Sequence, residues 1–148
     1  MPADLGRRAA ARLADLAACS RPGRGVTRLP FTPEHRSARE LLTAQMQAAG
    51  LTVHTDAAGT LIGRAEGQPG APTLLLGSHQ DSVREGGAFD GIMGVVLPIL
   101  ALEALRDAGT ALPFAVEVLA FADEDGVRFP TALIGPRALA DTFDPGVL

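Results

Sequence analysis

The sequence predicts an α/β fold with a mainly parallel sheet, and three observations carry that prediction. The middle of the chain runs apolar strand (73–76), long apolar helix (91–108) and apolar strand (114–122), the order of a parallel βαβ unit. Two amphipathic helical patterns stand before it, each with apolar residues near helical spacing. Finally, the 148 residues, 47% hydrophobic and 20% charged, amount to one domain with enough apolar material to bury a core.

Taken in order, Leu5, Ala9, Leu13 and Leu16 recur on one side of a helix over 5–18, with Arg7, Arg8, Arg12 and Asp15 on the others. A linker with Pro22, Gly23 and Gly25 follows. Thr32-Pro33-Glu34 then supplies a cap oxygen, a preset first-turn φ and an anion, the signature of a helix start. Gly50 closes that helix, whose apolar face is Ala38, Leu41, Leu42, Met46 and Ala49. Residues 51–56 and 60–64 predict a strand hairpin around Ala57-Ala58-Gly59. The run Thr73-Leu74-Leu75-Leu76 predicts a strand buried on both faces, as parallel strands usually are. Pro98 lies inside the 91–108 pattern and removes one intrahelical donor, so a kink or a later helix start is expected.

Composition excludes several classes of function. Charge is 13 cations against 17 anions, a net −4, and every cation is Arg, so the clustered positive excess that neutralises nucleic-acid phosphates is missing. Six Phe with no Tyr or Trp leave little for a base-stacking surface. The single Cys19 rules out an internal disulfide framework or a cysteine-rich zinc ribbon and fits a reducing, cytoplasmic setting. Leu16-Ala17-Ala18-Cys19 has the look of a lipoprotein cleavage site, but Arg12 and Asp15 interrupt the apolar segment this would need. The longest apolar run, 92–102, falls well short of the roughly 20 residues that cross a bilayer, so no membrane partner is expected.

In an open α/β sheet, ligands bind beyond the carboxyl ends of the strands. After the first central strand stands Gly77-Ser78-His79-Gln80-Asp81-Ser82, Asp90-Gly91 opens the helix, and Asp123-Glu124-Asp125-Gly126 follows the second strand. Adjacent parallel strands would bring His79, Asp90, Glu124 and Asp125 to one rim as a His/carboxylate metal site. His79 can give one ring nitrogen to a metal while Asp81 accepts the N–H of the other, fixing the tautomer. Asp90 can cap the helix, or bridge two cations about 3.5–4 Å apart, or both. Three successive acids would repel one another unless a cation sat among them. Glu124 and Asp125, being consecutive, should point apart, so that one ligates while the other takes a proton from water. Singly, a histidine after a strand is commonly just hydrogen-bonded or solvated, and Asp-Glu-Asp-Gly a polar turn; the ordered combination carries the functional reading. His35 and His54 read as structural or exposed, and neither Ser78 nor Ser82 stands in the Gly-x-Ser-x-Gly elbow of a serine nucleophile.

These segments, with Gly86-Gly87-Ala88-Phe89-Asp90-Gly91 and Phe121-Ala122-Asp123-Glu124-Asp125-Gly126-Val127-Arg128-Phe129, are similar to the metal-site motifs of the N-carbamoyl-L-amino-acid hydrolase and allantoate amidohydrolase family. Val26-Thr27-Arg28-Leu29, Asp56-Ala57-Ala58-Gly59 and Gly135-Pro136-Arg137-Ala138-Leu139 extend the resemblance over nearly the whole chain. It implies a three-layer αβα zinc-peptidase-like catalytic domain, related to aminoacylase and carboxypeptidase G. It further implies His79, Asp90 and Asp125 as ligands of two divalent metal ions (Zn2+, or Mn2+, Co2+ or Ni2+), with Asp90 bridging. Glu124 would be the general base and Asp81 the partner of His79. The implied reaction is hydrolysis of a linear amide or ureide C–N bond by metal-activated water, on a small-molecule ureide or N-carbamoyl amino acid.

Two positions depart from the family pattern: Asp125 stands where Glu is usual, and Thr60 where Asn is usual. The length departs as well. Residues 1–148 are expected to be the N-terminal part of the metal-binding catalytic domain, without the C-terminal part or the dimerisation (lid) domain through which full-length relatives form homodimers. Weak metal binding and little turnover by this chain alone follow, because three ligands fall short of the four or so donors each zinc uses. The alternatives are a non-catalytic fragment, half of a split enzyme completed by a separate C-terminal chain, or a dipeptidase or aminoacylase-type metallopeptidase.

Overall fold

The computed structural model describes residues 2–147, so Met1 and Leu148, the ends of the expected 1–148 unit, lie outside the described residues. Helix α1 spans Pro2–Ala18 and α2 spans Pro33–Ala48. The hairpin strands are β1, Thr52–Thr55, and β2, Leu61–Ala65. Then come β3 (Thr73–His79), α3 (Met93–Asp107), β4 (Ala115–Phe121) and the short α4 (Ile134–Leu139). No helix among the described residues is long and apolar enough to cross a membrane.

Local chemistry explains the element boundaries. The Thr32 hydroxyl accepts the His35 N–H at 3.3 Å and Pro33 opens α2, as the cap sequence predicts. At the hairpin, Asp56 Oδ1 accepts the N–H groups of Ala58 and Thr60, both at 2.9 Å, and Gly59 takes the positive φ of 89° that closes the turn. Helix α3 starts at Met93, two residues later than its apolar pattern, and it runs through Pro98.

The sheet order is β1-β2-β4-β3, with β3 and β4 parallel and the other two neighbouring pairs antiparallel. The βαβ unit and the edge hairpin are therefore present, and the described sheet is mixed rather than mainly parallel. The burial expected for β3 fails: Leu74 is 42% and Leu75 48% exposed. The cause is position, since β3 is the outer strand of the sheet and has only β4 as a neighbour.

One sheet face carries Leu61, Val116, Val118 and Ala120, which share a single cluster with Leu13 and Leu16 of α1, Leu42 and Met46 of α2, and Val95, Val96 and Ile99 of α3. At the back of α3, Glu103 takes Arg8 at 2.7 Å and Arg12 at 2.6 Å, joining α1 to α3 at the edge of the core. The helical layer and the βαβ order together hold the carboxyl ends of β3 and β4 side by side, with His79 in register with Phe121.

Candidate metal centre

His79 is the last residue of β3, and its side chain is 12% exposed. Its Nδ1 lies 3.0 Å from the main-chain carbonyl oxygen of Asp81. A neutral imidazole donating its proton there keeps a bare lone pair on Nε2, the state a metal ligand needs. The tautomer is thus fixed as expected, but by a peptide carbonyl rather than by the Asp81 carboxylate. That carboxylate is buried and turned elsewhere: Oδ1 accepts the Glu124 N–H at 3.4 Å and Oδ2 has no partner. Burial pushes its pKa up, although the Glu124 N–H and the neighbouring His79 pull the other way.

Beyond β4, His79, Glu124 and Asp125 each offer a ligand atom, and these atoms all lie within 4.8 Å of one another. Glu124 and Asp125 thus each bring a carboxylate oxygen within 4.8 Å of a ring nitrogen of His79. Asp90 Oδ1 stands 3.9 Å from His79 Nε2 on a side chain 59% exposed. Its carboxylate does not cap the helix, because α3 begins at Met93 with Ile92 at its cap position and no side-chain cap bond. The turn that delivers Asp90 requires Gly91. Its φ is +65°, and a Cβ there would sit 2.3 Å from His79 Cε1 and Nε2.

The donor set fits a divalent cation. Asp125 Oδ2 is buried without a hydrogen-bond partner, a costly state that a cation held with His79 and Glu124 would relieve. One imidazole and several carboxylates are a borderline-to-hard set, suited to zinc or manganese.

Sequence reasoning gave no role to Asp123. It is fully buried, has a left-handed φ of 55°, and neither of its carboxylate oxygens has a partner. Burial, followed by the charges of Asp81 and Asp125, raises its pKa to about 6. Arg28 and Gln80 were missed as well. Gln80 Nε2 donates to the carbonyls of Gly59 and Ala120, while Arg28 Nε donates to the Gln80 carbonyl at 2.7 Å. Ser82 exchanges hydrogen bonds with the Arg28 backbone, so both sides of Asp81 are clamped and the Ser82 hydroxyl serves the scaffold. Nothing in the sequence marks these residues as buried, since polar side chains ordinarily stay exposed.

The α/β fold and the gathered histidine and acids define the class: an α/β domain with a candidate metal-binding group at the carboxyl ends of a parallel strand pair. No family model matches the chain. It is 48% identical over 128 residues to an N-carbamoyl-L-amino acid amidohydrolase of Geobacillus stearothermophilus, covering 86% of this chain and 31% of that protein. It is 39% identical over 142 residues to an allantoate deiminase of Glycine max, covering 94% of this chain and 29% of the relative. Among solved structures, a hydantoinase/carbamoylase family amidase from Burkholderia ambifaria superposes with a TM-score of 0.90 at 35% identity, over 97% of this chain and 36% of that one. The chain is therefore similar to the N-terminal part of proteins of the N-carbamoyl-L-amino-acid hydrolase and allantoate amidohydrolase family. It spans about a third of the length of these relatives.

Proposed function

We propose that this chain carries the metal-binding part of an amidohydrolase that cleaves a linear C–N bond in an N-carbamoyl-L-amino acid or an allantoate-type ureide. The observation that carries the reading is the convergence of His79, Glu124 and Asp125 on one point at the strand ends, with Asp90 beside His79. The names of the relatives supply the substrate class.

In this reading His79, Asp90 and Asp125 would hold two divalent ions, Zn2+ in the first place. Bound there, the ions would polarise the scissile carbonyl and make a water molecule acidic at neutral pH. The part of Glu124 would be to hold and move a proton, taking it from the attacking water and returning it to the departing nitrogen. The Asp81 carbonyl keeps Nε2 of His79 free, and the Asp81 carboxylate fixes the Glu124 backbone. Asp125 reaches one methylene less far than the Glu usual at this position, which lowers metal affinity. The remaining ligands and the substrate-holding groups come from further polypeptide, either continuous with this chain or separate from it and dimeric as in full-length relatives. The chain alone binds metal weakly and turns over little, and it works in the cytoplasm.

The test is metal stoichiometry by elemental analysis after dialysis against trace zinc, with His79→Ala and Asp90→Ala beside the wild type. One or two ions retained by the wild type and lost in both variants would support the reading. A folded wild-type chain without metal would reduce it to a non-catalytic fragment.

A further inference from the structure

The distribution of arginines is uneven in a way the metal centre does not explain. Of the 13 arginines, Arg7, Arg8, Arg12, Arg21, Arg24, Arg64 and Arg106 form ion pairs with carboxylates. Arg28, Arg36, Arg39, Arg84, Arg128 and Arg137 form none among the described residues, and four of these six, Arg28, Arg36, Arg39 and Arg128, gather about one histidine. Arg39, Arg28 and Arg128 each act on His35 through their charge, and Arg36 lines the same cavity as Arg39 and His35. Arg28 and Arg128 spend hydrogen bonds on the main-chain carbonyls of Gln80 and Pro30. Asp81 offsets the charge of Arg28, but Arg36, Arg39 and Arg128 have no carboxylate at ion-pair distance among the described residues, and like charges so placed repel one another and raise the local potential.

Beside His35, at the start of α2, is a cavity of about 100 Å3 lined by Phe31, Thr32, His35, Arg36 and Arg39. His35 is 1% exposed. Its Nδ1 accepts the Phe31 N–H at 3.3 Å, which puts the ring proton on Nε2, and Nε2 has no partner. The positive end of a 16-residue helix dipole adds to the field. The nearest acid in sequence, Glu34, is already engaged with Arg21 at 3.6 Å.

We infer that this cavity binds a small tetrahedral oxyanion of the phosphate or sulfate class, gripped by Arg36 and Arg39 over the His35 ring. Guanidinium forks match such an anion with paired N–H groups, and a dianion answers several uncompensated cations where a monocarboxylate answers one. The cavity also touches the loop bearing Glu124 and Asp125 indirectly: the Phe31 ring lies 5.9 Å from that of Phe129, and Arg128 reaches the Pro30 carbonyl.

The experiment is a titration of the full chain with inorganic phosphate, followed by calorimetry and by Tm, with EDTA present and ionic strength held constant with sodium chloride. A saturating signal is expected, matched by sulfate and weaker with acetate. Arg36→Gln combined with Arg39→Gln should weaken it tenfold or more, and Arg36→Lys, which keeps the charge but loses the fork, should weaken it less. His79→Ala should leave it unchanged, so this result stands or falls separately from the metal reading. A Tm rise that does not saturate and persists in the double variant would overturn the inference. So would acetate equal to phosphate, or loss of binding in His79→Ala.

Discussion

His35 makes the stability of this domain pH-dependent by an amount that can be worked out. Burial, reinforced by Arg39, Arg28 and Arg128, lowers its pKa from 6.5 to about 4. Above pH 6.5 both folded and unfolded chains hold a neutral ring, and the full stability is present. Between 6.5 and 4 the unfolded chain takes up a proton that the folded chain refuses, so stability falls with pH, by about 3 kcal/mol across the window. At pH 5 about 2 kcal/mol should be gone. Asp123 and Asp81, whose pKa values are raised, slope the opposite way, so the wild-type curve alone understates the effect. The informative quantity is the difference from His35→Asn, whose Oδ1 can accept the Phe31 N–H in place of Nδ1. Urea unfolding at pH 7.5, 6.5, 5.5 and 4.5, in EDTA and phosphate-free buffers of constant ionic strength, gives both curves. Wild type should lose ground against the variant steadily below pH 6.5. Parallel curves would refute the argument.

Three further outcomes are expected. Gly67→Ala should destabilise by about 1–3 kcal/mol in urea unfolding, because its Cβ would fall 2.1 Å from the Phe114 carbonyl carbon, a backbone atom that cannot swing aside. Glu103→Gln should lower stability by about 1–3 kcal/mol by leaving Arg8 and Arg12 with no carboxylate, and added salt should shrink the difference, as paired thermal melts at low and high sodium chloride will tell. Treatment with a chelator should leave the far-UV circular dichroism unchanged, because the shared core of α1, α2, α3 and the sheet contains neither His79 nor the acids.

Features written in local chemistry were legible in the sequence. Thr32-Pro33 and the Asp56–Thr60 turn are set by neighbours a few residues away, and both form as predicted. So does the βαβ unit, whose period and order need no distant information. The exposure of β3 was not legible, because an apolar run specifies a strand but not how many strands will flank it. The site divides in the same way. His79, Asp90, Glu124 and Asp125 declare themselves by residue type at strand ends. Which oxygen meets His79 Nδ1 depends on how one peptide plane is turned, and that side chain and main chain of Asp81 compete for the role is invisible in the letters. The burial of Arg28 and Asp123, and the gathering of arginines from three separate segments around His35, arise only from folding.

Gly91 ties the metal centre to sequence variation. Since a methyl group there would overlap the His79 ring, the two positions form one unit of inheritance: a chain may exchange both together, but a side chain at 91 beside an intact His79 signals a displaced imidazole. Residue 91 thus serves as a checksum when variants or related sequences are screened. It is a single letter that separates chains still able to place the imidazole from chains that keep its sequence but not its geometry. In a mutagenesis library, holding position 91 fixed spares the His79 ring while Phe89 and Met93, exposed on either side of the Asp90 turn, stay free for diversification.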